Sequence, residues 1–224
     1  MARREPLNRE KILDAALVLA AAEGLEGLSM RKLAKSLGVE AMSLYNHVSN
    51  KADILDGMAE RAFGEVDCPD PALPWPEKVR AIALSMHRAF SRHPVVPLAL
   101  VTDQANPTSA TALRPLDALI GALLEAGFPD ADVRRMLTAV NSVIFGSLLL
   151  STAGFTVEDF PAEAGGRQVD LFVRQADSAG LPHFSRLLKT LPATDPQADF
   201  EYALDVLISG LIAAAADGRA TSPG

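Results

Sequence analysis

The sequence predicts an all-α protein in which a small N-terminal helix-turn-helix head is joined by a connecting helix to a larger helical body. Three observations carry that prediction. Apolar residues recur at helical spacing with no sustained period-2 alternation, and aromatics make up only 5% of the chain. Prolines gather at 69, 71, 74 and 76, where a helix cannot continue, so a first unit at 1–65 is divided by a linker at 66–76 from a body at 77–218. Charge divides the same way: the net −7 conceals a segment of +3 at 29–51 attached to a body of −6 at 66–224, the asymmetry of a protein that presents one end to DNA.

Each element has its own signal. Asn8 caps a first helix with Ile12, Ala15, Ala16, Leu19 and Ala22 on one stripe, and Gly24 supplies a left-handed stop. Ser29 caps a second helix at 30–37, with Leu33 and Ala34 inward and Gly38 at its end. A third is expected at 40–47. Ser49 or Asn50 caps a fourth, in which Ile54, Leu55, Met58, Ala59 and Ala62 repeat at helical spacing. Past the linker, helices are expected at 77–92, ended by Pro94; near 97–102; from Pro107 to 126, kinked at Pro115; and at 130–150. The stretch 155–167, with Gly165 and Gly166, reads as a loop, followed by helices at 168–179, 183–191 and 196–216.

Composition narrows the function classes. The longest uninterrupted apolar runs, 15–22 and 211–216, fall short of the ~18–20 residues a bilayer span needs, so no membrane partner is expected. Cys68 is the single cysteine and has no internal disulfide partner. Arg3 and Arg4 lead into a polar run and not into an apolar leader, which leaves the cytoplasm as the expected location. There is no Gly-rich phosphate loop, nucleophile elbow or paired histidine-carboxylate motif, so an enzyme is not expected.

Residues 30–49 meet the demands of two crossed helices: a small residue where they touch, one tolerant of positive φ in the turn, and apolar anchors from both. Ala34, Gly38 and Leu44 supply these, and Leu33, Leu37, Val39 and Val48 fill the other inward positions. With Leu44 inward, Ala41, Met42, Ser43, Tyr45, Asn46 and His47 lie wholly or partly outward, as in a recognition helix entering the major groove. Ser43 and Asn46 carry groups that hydrogen-bond base edges, and Ala41 and Met42 suit a thymine methyl. Lys51 joins its charge to the positive start of the fourth helix and suits a phosphate. Ser29 and Arg31 do the same at the second helix, with Arg31 also able to reach a guanine, while Lys32, Lys35 and Arg61 read as solvated face.

The run at 27–58 resembles the TetR family in its tetracycline-repressor branch, above all in Arg31-Lys32-Leu33-Ala34, Leu37-Gly38-Val39, Leu44-Tyr45, His47-Val48 and Asn50-Lys51. Residues 200–211 are similar to the family's last helix. The resemblance implies a homodimer, a three-helix head, a connecting fourth helix and a ligand-binding, dimerising body. It also implies phosphate contacts for Tyr45 and His47; the alternatives are a core aromatic for Tyr45, which its place one residue after the inward Leu44 disfavours, and local packing for His47, which reads equally well. Met30, Ala41, Met42 and Asn46 depart from the family's best-known member, so its operator sequence does not carry over.

In the body, polar side chains within apolar helices mark candidate ligand contacts, because an unpaired buried polar group costs ~1–3 kcal/mol that a ligand offsets. His87, Thr102, Gln104 and Asn141 fit, with Met86, Phe90, Leu116 and Phe145 as walls; internal hydrogen bonding and plain core packing are the ordinary alternatives. His87, His93 and His183 have no metal-like spacing, so neither metal nor cofactor is expected. Val140, Val143, Ile144, Ser147 and Leu148, with Ala203, Leu204, Leu207, Ile208, Leu211 and Ile212, form stripes that either pair two subunits through helices at 136–150 and 200–215 or bury within one, and Gly146 and Gly210 permit close approach. The expected function is a ligand-responsive repressor that binds palindromic operator double-stranded DNA as a homodimer and is released by a small hydrophobic effector. The alternatives are a transcriptional activator and an all-α small-molecule-binding enzyme.

Overall fold

A computed structural model describes residues 6–152, 162–188 and 195–221, which form helices and no strand. In order these are α1 (Arg9–Gly27), α2 (Met30–Leu37), α3 (Ala41–Leu44), α4 (Lys51–Gly64), α5 (Trp75–Ser91), α6 (Val95–Val101), α7 (Ala110–Glu125), α8 (Asp130–Thr152), α9 (Ala162–Ser178), α10 (Pro182–Leu188) and α11 (Pro196–Thr221).

Side-chain caps start the head helices where their residue types promise. Asn8 accepts from the Lys11 N–H at 2.9 Å, and Ser29 from that of Lys32 at 3.3 Å. Of the two candidates before α4, Asn50 is the cap, accepting from the Asp53 N–H at 3.0 Å, while Asp53 accepts from the Ser49 N–H at 2.7 Å. Gly24 does adopt positive φ, at 72°, but it breaks α1 without ending it. The chain turns back because Leu25 and Leu28, 4% and 2% exposed, are drawn into the core.

The third helix is shorter than expected. It spans Ala41–Leu44, its cap residue Glu40 makes no side-chain bond, and the N–H groups of His47 and Val48 both bond to the Leu44 carbonyl, closing a tight turn over residues 45–47. Elsewhere prolines move boundaries. Pro76 sits in the first turn of α5, so that helix starts at Trp75 and shortens the linker; Pro94 begins α6 instead of only ending α5. Pro107 precedes α7, which starts at Ala110 under a Ser109 cap with Pro115 buried inside it. Residues 162–167 of the expected loop are helical in α9, whereas 155–161, and 189–191 of the expected tenth helix, lie outside the described residues.

One apolar core runs from Ile12 and Leu33 in the head through Met58, Phe90 and Leu119 to Ile144 and Leu204. The connecting helix α4 packs on α1 and also on α5, α6 and α7; α6 in turn touches α1, α4 and α8. Gly57 allows the close approach of α4 to α1, since a Cβ there would meet Leu13 Cδ2 at 2.9 Å, while Gly64 faces Thr111 of α7 at the junction of head and body. Polar ties cross the same junction: Asp56 accepts from the Asn106 N–H at 2.6 Å, and Glu65 binds His93 Nε2 at 2.7 Å and Arg92 Nε at 2.8 Å. Residues 130–151 have the length and mean hydropathy of a membrane span, yet Val140, Ile144 and Leu148 of that helix sit in the core.

Candidate nucleic-acid interface and effector cleft

Gly38, at φ 64° and ψ 37°, holds the left-handed turn between α2 and α3, and the Val39 N–H bonds to the Ala34 carbonyl at 3.0 Å. Leu33, Ala34, Leu44 and Val48, at 0–3% exposure, lock the two elements together from inside. The residues between and after these anchors project outward. Met42 is 72% exposed and Tyr45 48%, Asn46 and His47 are exposed, and Ala41 and Ser43 are half-buried. Tyr45 is therefore not a core aromatic. The segment presents an apolar tip (Met42), an aromatic hydroxyl, an amide and an imidazole in succession, a set able to meet base edges and phosphates.

The cations assigned to this surface divide into two groups. Arg31 is exposed, and Ser29 is half-buried with its hydroxyl engaged as a cap. Lys51 is half-buried, and its ammonium donates to the Leu25 carbonyl at 2.7 Å, just beyond the Gly24 break. At the start of α4, Asp53 also pairs with Arg9 at 2.7 Å. The hydrogen bond from Arg9 and then the Ser49 N–H hold the Asp53 carboxyl below its ordinary range against the opposing effect of burial.

In the body the candidate ligand residues separate. Met86 and Phe90 are fully buried in the closed core. Phe90 packs edge-on against Phe63 at 5.1 Å and stacks on Phe145 at 5.6 Å, so an aromatic column crosses from α4 through α5 to α8. Leu116 lines a cleft of about 250 Å³ together with Phe63, Leu100, Ala105, Pro107 and Ala112, where α4 faces the start of α7. Asn141 leaves its Oδ1 buried, without a hydrogen-bond partner among the described residues. Thr102 and Gln104 hydrogen-bond each other at 2.9 Å and line neither this cleft nor the column. His87, 5% exposed, stacks on Phe200 at 3.9 Å with its Nε2 3.3 Å from Ser147 Oγ. Burial pushes its pKa below the usual histidine value, opposed by Gln197 and Glu201.

Phe63 and the cleft-lining stretch 105–108 were missed by sequence reasoning, which singled out Thr102 and Gln104 of the same turn instead. Phe63 carries a signal, since it extends the apolar repeat of Ala59 and Ala62; the positive φ of Asp103, 58°, carries none. Among the described residues no group of His, Cys, Asp or Glu is placed to hold a metal ion. The two stripes divide: Val140, Ile144, Leu148, Leu204, Ile208 and Leu211 are buried within the one chain, the alternative left open by the sequence, while Ile212 (47%) of the same set is exposed, as are Leu150 (55%), Tyr202 (74%) and Val206 (56%) on the same two helices.

Comparison with known proteins agrees with this anatomy. Residues 12–58 match the model described as bacterial regulatory proteins, tetR family, and residues 68–215 match the tetracyclin repressor-like C-terminal domain. An HTH-type transcriptional regulator of Saccharopolyspora erythraea is 35% identical over 221 residues, covering 95% of this chain and 88% of that protein. The class D tetracycline repressor protein of Escherichia coli is 32% identical over 215 residues, 91% of this chain and 88% of that one. The Streptomyces coelicolor TetR family protein ActR, in a crystal structure with actinorhodin, superposes with a TM-score of 0.75 at 25% identity, covering 94% of this chain and 99% of that one. These relatives are regulators and not enzymes. With both halves matched in order and the recognition segment exposed on its buried anchors, the chain belongs to the TetR family of transcriptional regulators.

Proposed function

We propose that this regulator is a repressor that binds a palindromic operator as a homodimer and releases it when a small, largely apolar effector enters the body. The observation that carries the reading is the run Met42 to His47, exposed beside the buried anchors Leu44 and Val48. One head with so short a segment buries little surface on DNA, so two heads about 34–36 Å apart, one turn of duplex, are needed for useful affinity. The exposed Leu150, Tyr202, Val206 and Ile212 on α8 and α11 supply the apolar face for that pairing.

The effector site proposed lies between α4 and α7, where Phe63 and Leu116 line a cleft backed by the aromatic column that runs from Phe63 through Phe90 to Phe145. Its walls, mostly apolar with the aromatic ring of Phe63 among them, favour a ring-bearing molecule. Class D tetracycline repressor and ActR, which was crystallised with actinorhodin, make a polycyclic aromatic the first class to test. A ligand that fills the cleft presses α4 away from α7 and changes the spacing of the heads, by no more than its differential affinity for the two arrangements.

The test begins by selecting a duplex from a random-sequence pool with the wild-type chain. A two-fold symmetric site, bound by a dimer and released by a polycyclic aromatic that also raises the melting temperature, is the expected result. An asymmetric site bound by monomers would refute the dimeric reading. Saturable stabilisation by highly polar ligands alone would refute the effector class.

A further inference from the structure

A second opening in the body, of about 420 Å³, lies between the C-terminal half of α8 and the start of α11. Val143, Leu150, Phe200 and Ala203 make its walls apolar. Gly146 leaves room inside it, for a Cβ there would meet nothing within 4 Å.

The polar groups at its edge share one character. Ser142 donates to the Thr138 carbonyl at 2.8 Å and Ser151 to that of Ser147 at 2.9 Å, so both hydroxyl hydrogens turn into the helix and the oxygens keep acceptor character. Asp199 adds an exposed carboxylate that has no bonded partner among the described residues. No Lys, Arg or His lines the opening among the described residues.

An anion is one competing occupant, because the opening touches the first turn of α11, where N–H groups and the helix dipole favour negative charge. That end is already capped. The Gln197 N–H donates to Asp195 Oδ1 at 3.0 Å and the Asp199 N–H to the Asp195 carbonyl at 2.8 Å, which sets a carboxylate where an anion would sit. His87 brings no positive charge: it stands behind the wall, stacked on Phe200 at 3.9 Å with Nε2 3.3 Å from Ser147 Oγ, and burial lowers its pKa, so the ring is neutral at pH 7. A second copy of the chain is the other competitor, since Leu150 also belongs to the proposed pairing face. An apolar partner surface, however, would cover the Asp199 carboxylate without neutralising it.

We propose that the opening between α8 and α11 is a second small-molecule site, which takes a primary ammonium carrying an apolar chain. The ammonium donates to Asp199 and the serine oxygens, and the chain lies against Val143, Leu150 and Phe200. This site is separate from the cleft between α4 and α7 and does not depend on the operator-binding reading. Its occupancy reaches α5 through His87, which stands three residues before Phe90 of the aromatic column.

Calorimetric titration of the whole chain without DNA, at about pH 7, compares three probes of one chain length: octylammonium, octanol and octanoate. Octylammonium is expected to saturate at one molecule per chain, octanol to bind at least about fivefold more weakly, and octanoate not to saturate. Asp199→Asn should weaken octylammonium about fivefold at low salt, with a smaller difference at about 500 mM salt. Asp177→Asn, which removes an exposed carboxylate on α9, should leave binding unchanged. Gly146→Leu fills the opening and should abolish saturation at an unaltered melting temperature; if it does not fold, Ala203→Leu on the facing wall is read in the same way. Four results overturn the proposal: no saturation by octylammonium, equal binding of octanoate, retained binding in a folded cleft-filling variant, or equal effects of Asp199→Asn and Asp177→Asn. Binding that appears only when the protein is diluted below the concentration at which it pairs overturns it as well, because a second copy then covers the opening.

Discussion

Asp53 gathers three bonds at the start of α4, from Arg9, the Ser49 N–H and, through Asn50, its own backbone, and its carboxyl is held below its ordinary pKa chiefly by Arg9. The folded chain thus binds this proton less readily than the unfolded one. Its contribution to stability is present above the unfolded value near ~4 and is lost as pH falls through the lower folded value. Asp53→Asn should flatten the acid limb of stability followed by circular dichroism between about pH 5 and 2; an unchanged limb would remove the bond from the account. His87 follows the same sign from a different cause. Burial lowers its pKa, so the unfolded state takes the proton first, and stability present above about 6.5 declines as pH drops from there toward the folded value. His87→Gln should lessen the fall in melting temperature between about pH 7 and 5, and an equal fall in both proteins would assign that window to other groups. At this scale the sequence showed which residues were polar within apolar helices, but not their partners. Gln104 donates to Thr102, which donates to the Leu98 carbonyl, while Asn141 Oδ1 has no partner among the described residues, and only the three-dimensional arrangement tells them apart.

Helix starts were the most legible elements, because Asn8, Ser29 and Asn50 each act on backbone within three residues. Ser29→Ala should cost about 1 kcal/mol in urea unfolding, since the Lys32 N–H loses its acceptor at the start of α2. Gly38→Ala, forcing a Cβ into a left-handed turn, should cost about 1–2 kcal/mol; a neutral result would mean that the turn is free to open. The length of α3 was not legible. It is set by one carbonyl, that of Leu44, accepting from both His47 and Val48, and sequence periodicity does not distinguish that closure from another helical turn. Gly24 misled for a related reason: its positive φ was foreseen, but the pull of Leu25 and Leu28 into the core is a tertiary effect that overrides a local stop signal.

At the scale of the molecule, the all-helical class and the order of head and body followed from periodicity and the prolines, whereas the closeness of the two did not, because it depends on tertiary ties such as the Asp56 bond to Asn106 and the bonds of Glu65 to Arg92 and His93. The sequence left open whether the stripes of α8 and α11 pair two subunits or bury within one, since helical spacing identifies an apolar stripe without saying which neighbour takes it; most of the stripe is buried in the chain, while Ile212 stays exposed. Val206→Glu, at a position 56% exposed, should leave the fold intact and yield a monomer by light scattering that binds the selected duplex at least tenfold more weakly. A stable dimer of that variant would move the pairing surface elsewhere.

Because α6 touches both α1 and α8, and the core beneath it is unbroken, the two halves cannot be treated as interchangeable cassettes. A graft that swaps another family member's head onto this body at the proline linker would retain α6 but discard the α1 and α4 surfaces fitted to it. Such chimeras should express poorly unless those touching residues travel together, and calorimetry of the intact chain should give a single endotherm, not one for each half.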